Sequence, residues 1–141
     1  MIAVVTGHIC SGKTTWVQQQ ARPGDVVIDM DRIAAAIQPD GADPYDHPPH
    51  VIAIAREIRW SAIDSAIRYG RSHAYDLWII HAYPEPIDLA RYQRLGAMIE
   101  EVRCDPETLI ERTTRLRPPR CLRTLMERLK GGVGSAAKSL F

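Results

Sequence analysis

The chain has almost no charge of one sign to spare: 18 Lys and Arg stand against 17 Asp and Glu in 141 residues, a net of +1. That balance argues against a uniformly basic nucleic-acid binder. Cysteine is scarce as well. Cys10, Cys104 and Cys121 are odd in number, widely spaced and without a C-x-x-C pair, which excludes a disulfide scaffold and fits a reduced, cytoplasmic setting. No apolar run approaches the roughly 18 residues of a membrane-spanning helix, so no membrane partner is expected. Internal repeats and sustained heptads are missing too. The opening Met1-Ile2-Ala3-Val4-Val5 is apolar but short and lacks a basic flank. It is expected as a buried strand rather than a signal peptide.

What is present is globular: 45% hydrophobic and 25% charged residues. The length suits one domain whose core needs no disulfide or metal staple. That domain is expected over residues 1–130, followed by a glycine-rich tail, 131–141, read as a flexible extension. One-signed charge is local. From Arg112 to Lys130 seven bases (Arg112, Arg115, Arg117, Arg120, Arg123, Arg128 and Lys130) face only Glu127, so a polyanionic partner is expected to meet the C-terminal third.

Short apolar runs at Ile2–Thr6, Val26–Asp29 and Leu77–His81 have the composition of strands buried on both faces. A weaker fourth, Ala97–Arg103, is interrupted by Glu100 and Glu101. Helices are expected over Lys13–Gln20, Asp31–Ile37 and His50–Tyr69. Asp88–Leu95, a segment from Asp105 to about Leu116 and Arg120–Lys130 complete the set. In the longest, Val51, Ala55, Ile58, Ala62, Ala66 and Tyr69 mark an apolar stripe, and Trp16, Trp60 and Trp78 read as core residues. The segment Gln38–His50 is a loop by composition and long enough to be functional. The fold class is therefore α/β: a three-layer arrangement around a parallel sheet of four or five strands, in the order 2-3-1-4, with right-handed crossovers. Ligands in such sheets bind at the carboxyl ends of the strands.

Gly7-His8-Ile9-Cys10-Ser11-Gly12-Lys13-Thr14 matches G-x-x-x-x-G-K-[ST], with a strand before it and a helix after. The backbone N–H groups of this loop, with Thr15 behind it, can wrap phosphates at a helix N-terminus. Lys13 then bridges the β- and γ-phosphates, and the Thr14 hydroxyl joins a Mg²⁺ shell. The expected cofactors are ATP, with GTP as an alternative, and Mg²⁺. At the end of the second strand, Asp29-Met30-Asp31-Arg32 puts two carboxylates on the same rim. Asp29 reads as a metal partner and Asp31 as the group that orients and deprotonates an accepting hydroxyl. The competing reading makes Asp31 a helix N-cap and Asp29 a solvated strand end.

Together the glycine loop, the D-x-D and the arginine-rich late helix resemble P-loop kinases of the nucleoside-monophosphate-kinase type. Within that group the chain looks closest to the polynucleotide-kinase-like and zeta-toxin-like small ATPases, which also occur in phage genomes. The resemblance covers about residues 1–120. It implies a lid over about residues 112–119 whose arginines, Arg112, Arg115 and Arg117, clamp the donor phosphates, with Arg115 acting in catalysis beside Lys13 and Asp31. Arg32 and His81, on the rim read from the strands, are expected on the substrate side with Asp31. The third strand ends in His81, where many P-loop proteins carry an acid. His47 and His50, flanking Pro48-Pro49 beside Asp43 and Asp46, read as a substrate-side loop rather than a metal site.

The expected function is a Mg²⁺–ATP-dependent phosphotransferase acting on a hydroxyl, foremost a nucleic-acid 5′ end. Two alternatives stand beside it: a kinase of a nucleotide or other small metabolite, and a P-loop regulatory module with little phosphotransfer.

Overall fold

The computed structural model describes residues 1–139, with side chains through Gly131. Four strands, β1 (Ile2–Thr6), β2 (Val26–Asp29), β3 (Leu77–Ile80) and β4 (Met98–Glu101), form one sheet in the order β2-β3-β1-β4. Every pairing is parallel: Val4 lies opposite Ile79, Asp29 opposite Ile80, and Thr6 opposite Glu101. The carboxyl ends of β1, β2 and β3 therefore share one rim, as the alternation of strands and helices predicts. Six helices connect and cover the sheet: α1 (Lys13–Gln20), α2 (Met30–Ala36), α3 (Pro49–Gly70), α4 (Pro86–Arg94), α5 (Pro106–Leu116) and α6 (Pro119–Ser139).

Strand alternation sorts the core into two layers. Val4, Ile28, Leu77 and Ile79 pack on one face with Ile63 of α3 and Tyr92 of α4. Ala3, Val5, Trp78 and Ile80 pack on the other with Val17 of α1. The three tryptophans join these layers: Trp60 is partly buried against the first, Trp78 lies inside the second and Trp16 is partly buried against that one. β4 is one of the two edge strands, with Met98 49% exposed. Its one solvated face explains Glu100 and Glu101 in a strand.

Several expected boundaries move. α2 begins at Met30 rather than Asp31 because Asp29 is its N-cap, its carboxylate accepting from Asp31 N at 3.1 Å. α3 starts a residue early at Pro49, since proline is pre-set for the first helical turn. Pro86 does the same for α4, which also carries the reciprocal Glu85–Asp88 cap. On α3 the buried stripe is Val51, Ala55, Arg59 and Ile63. Tyr69, expected on that stripe, is exposed. No separate lid element interrupts 112–119: α5 continues through Leu116 and α6 begins at Pro119. α6 outruns its expected end at Lys130, so the tail expected over 131–141 has helical backbone as far as Ser139. Residues 140 and 141 lie outside the described residues.

β1 passes into its loop through Gly7, at φ +138°, where a Cβ would sit 2.4 Å from the Val102 carbonyl oxygen. Gly12 also has positive φ, but open space surrounds it. Gly7→Ala should therefore cost more than ~2 kcal/mol, and Gly12→Ala clearly less, in denaturant titrations. Equal losses would show that backbone strain alone, not the close approach of Val102, restricts Gly7.

Candidate functional site

The loop between β1 and α1 is tied down at both ends. Gly7 N donates to the Ala82 carbonyl at 3.4 Å, Ser11 N to the His8 carbonyl at 3.1 Å, and Trp16 N to the Gly12 carbonyl at 2.9 Å. Gly12 and Cys10 take positive φ, which turns the chain sharply into α1. Lys13 folds back along the loop and is buried. Its Nζ donates to the Gly7 carbonyl at 2.8 Å and to the His8 carbonyl at 2.6 Å. Burial pushes this ammonium down to about 8, although Cys10, Asp29 and Asp31 pull the other way. The loop thus holds a cation and a helix N-terminus at the sheet rim, the elements of a phosphate cradle.

On the same rim the cap that the alternative reading gave to Asp31 is made by Asp29. Asp29 caps α2 and is half-buried; desolvation, then the nearby Asp31, raise its pKa. Asp31 lies in the first turn of α2, its side chain 44% exposed. Its Oδ1 takes a 3.0 Å hydrogen bond from His47 Nε2. Gln38 Nε2 in turn donates to the Ala34 carbonyl at 3.0 Å and to His47 Nδ1 at 3.1 Å. With Nδ1 accepting, the ring proton sits on Nε2 and points at Asp31. Arg32 is exposed beside them. Sequence reasoning left His47 to a loop, yet it is buried.

The basic segment divides. Arg112 Nη1 donates to the Cys10 carbonyl of the glycine loop at 3.3 Å. Arg117 stacks over Tyr45 at 3.5 Å and acts on Lys13 through its charge. Arg120 pairs with Asp46 at 2.7 Å and donates to the Tyr45 carbonyl at 3.4 Å. Arg115, expected with the clamp, instead pairs along the helix with Glu111 at 2.9 Å, 61% exposed. The α5–α6 junction thus roofs the rim and grips the loop between α2 and α3.

The glycine loop, its strand and its helix are matched by a family model described as "AAA domain" over residues 2–129. The chain belongs to the AAA domain family. Among curated proteins no match is found. Among solved structures the chain is similar in fold to the tunicamycin resistance protein of Deinococcus radiodurans, at 19% identity and a TM-score of 0.55. That match covers 98% of this chain and 83% of the other. The domain is thus a P-loop nucleotide-binding domain of kinase-like fold.

Around the loop of this AAA domain, Tyr83 is a further residue that motif reading missed. Ile9 N donates to its hydroxyl at 3.2 Å, His8 Nδ1 lies 3.2 Å from the same oxygen, and Arg128 covers the ring at 4.7 Å. His81 turns the other way, onto the α3–α4 face, its Nδ1 2.9 Å from the Tyr92 hydroxyl. Burial, reinforced by Arg59, pushes His81 down to about 4. Its 3.9 Å approach to Asp88 is therefore not a charged pair at neutral pH. No group of three or more His, Cys, Asp or Glu that could hold a metal occurs among the described residues. A Mg²⁺ ion carried by nucleotide phosphates keeps most of its waters and needs only one or two protein oxygens. Thr14, next to Lys13, and Asp29, close enough to act on Lys13 by charge, supply oxygens of that kind, so this donor set fits. No helix among the described residues is long and apolar enough to cross a membrane.

The depressed Lys13 pKa has a stability consequence. Between about 8 and the ordinary 10.5, the unfolded chain holds a proton that the native chain has released. Stability therefore rises with pH across that window. Lys13→Met lacks this gain. Denaturant titrations from pH 8 to 10.5 should show wild type gaining on the variant, and a constant gap would place Lys13 in water.

Proposed function

We propose that this domain is a Mg²⁺–ATP-dependent phosphotransferase that moves the γ-phosphoryl group to a hydroxyl, with a nucleic-acid 5′ end as the leading acceptor. One observation carries the reading: Asp31, an exposed carboxylate near Lys13, has one oxygen held by a buried histidine. With Oδ1 taken by His47, Oδ2 is left to accept the proton of an incoming hydroxyl. An acid serving only as a cap needs no such bracing, and here the capping is done by Asp29.

The chemistry follows from the positions. Lys13 exchanges its Gly7 and His8 carbonyls for the β- and γ-phosphates, a trade of neutral for charge-assisted hydrogen bonds. Bound Mg²⁺, held by Thr14 and Asp29, would neutralise phosphate charge. Asp31 takes the hydroxyl proton as the new O–P bond forms and the bond from the γ-phosphorus to its bridging oxygen breaks, leaving ADP. Of the three arginines expected to clamp the donor phosphates, Arg112 and Arg117 supply the guanidinium charge and Arg115 does not, because Arg112 bonds the loop and Arg117 acts on Lys13 by charge. Charge at that place counts most in the transition state.

A second reading, a kinase of a nucleotide or other small hydroxyl compound, gains support from the basic segment itself. Arg115, Arg117 and Arg120 are engaged by Glu111, Tyr45 and Asp46, which leaves less free basic surface for a long polyanion. Salt separates the two. If Arg120 and Arg123 grip an oligonucleotide, replacing both by alanine flattens the salt dependence of its affinity by about two units of slope.

Asp31→Asn tests the common core. With γ-labelled ATP and a panel of 5′-hydroxyl oligonucleotides, nucleosides and small alcohols, wild type should label one acceptor class. The variant should fall by about 10² or more while ATP affinity holds. Undiminished labelling by the variant would refute the role of Asp31.

A further inference from the structure

Arg59 lies on the buried stripe of α3, 5% exposed, between Ala55 and Ile63. Its Nε is buried and has no hydrogen-bond partner. Nor does it form an ion pair among the described residues, where every other buried basic side chain has a polar partner: Lys13 the loop carbonyls, His47 Asp31 and Gln38. A guanidinium resists deprotonation, so burial without a counter-ion costs several kcal/mol in general terms. Burial does lower its pKa from the usual value. The groups that act on it by charge are Tyr92, Asp88 and Arg56. Of these, Tyr92 has its pKa pushed up to about 12 and stays neutral. Asp88 is turned to the α4 cap, its Oδ2 accepting from Glu85 N at 3.0 Å. Arg56 adds a second cation. His81, which feels Arg59 and Arg56 in turn, is neutral. Two guanidiniums therefore face one carboxylate, Asp88, which makes no ion pair with either.

The location gives this surplus a use. His81 follows Ile80, which lies opposite Asp29, so the cluster sits at the rim beside the D-x-D. Alternation points His81 to the α3–α4 face, whereas Ile80 belongs to the α1 face. The cluster is thus on the acceptor side of the sheet, apart from the glycine loop. The free Nε–H edge of a guanidinium, with the adjacent Nη, presents two parallel donors that match two oxygens of a phosphate.

We propose that Arg59, with Arg56 and His81 beside it, forms an oxyanion site that binds a phosphate group of the acceptor. The proposal rests on the phosphotransferase reading for the word acceptor, but not for the site itself. It selects phosphorylated acceptors over simple alcohols, whether the phosphate belongs to a nucleotide or to a nucleic-acid backbone.

The test fills the donor site first. With the full chain saturated by Mg²⁺ and the β,γ-imido analogue of ATP, inorganic phosphate is titrated by calorimetry. Wild type should bind one further phosphate, and Arg59→Met should weaken it at least tenfold with the analogue's affinity unchanged. Arg59→Lys, which keeps the charge and loses the fork, should fall between them and guards against misfolding of the methionine variant. In phosphate-free buffer Arg59→Met should melt no lower than wild type, whereas a purely structural arginine would leave a less stable protein. No second phosphate on wild type, or equal phosphate affinity in wild type and both variants, would overturn the site. Failure of the analogue itself to bind would instead count against the nucleotide reading.

Discussion

Lys13 Nζ and the carbonyls of Gly7 and His8 close the turn between β1 and α1 around a buried positive charge. A cation in that place is an expensive way to build a turn, and the rest of the rim is arranged to bear it. Asp29 and Asp31 act on it from the end of β2, and Arg112 bonds the same loop from α5. Gly7 has no room for a side chain because the backbone after β4 passes against it. The parallel sheet sets all of these separations, since the ends of three adjacent strands converge on one edge.

The sheet also separates two sets of polar side chains. Residues at the ends of β2 and β3 alternate between its faces. The groups of the glycine loop gather over the α1 face, while His81, Tyr92 and Arg59 gather under α3 and α4. The loop between α2 and α3 bridges the two, with His47 braced on Asp31 and Tyr45 and Asp46 held by Arg117 and Arg120. A hydroxyl entering beside Asp31 would meet this loop on one side and the nucleotide on the other.

Much of this was legible in the residues alone. The glycine loop has a fixed local pattern, and buried parallel strands are recognisable as short β-branched runs, so the strand order and rim followed from chain order and handedness. The D-x-D was placed on the correct rim, but the competing reading gave the cap to Asp31 where Asp29 makes it, because a capping preference is shared by both acids and only geometry separates them. His47 was invisible because a histidine in a proline-rich loop carries no periodicity; its partner lies 16 residues away. Arg59 escaped for the opposite reason: an apolar-stripe reading passes over a charged residue on the buried face and takes up Tyr69, which is in water. Arg115 misled because the count of bases began just after Glu111, the acid that engages it.

The most direct test of the account is a crystal structure with Mg²⁺ and the β,γ-imido analogue of ATP. The expected result has the β- and γ-phosphates inside Gly7–Thr14, Lys13 Nζ moved from the Gly7 and His8 carbonyls onto phosphate oxygens, the metal on Thr14, and the free oxygen of Asp31 facing the γ-phosphate. A nucleotide bound elsewhere, with Lys13 still on its own loop and Asp31 turned from the phosphates, would contradict it.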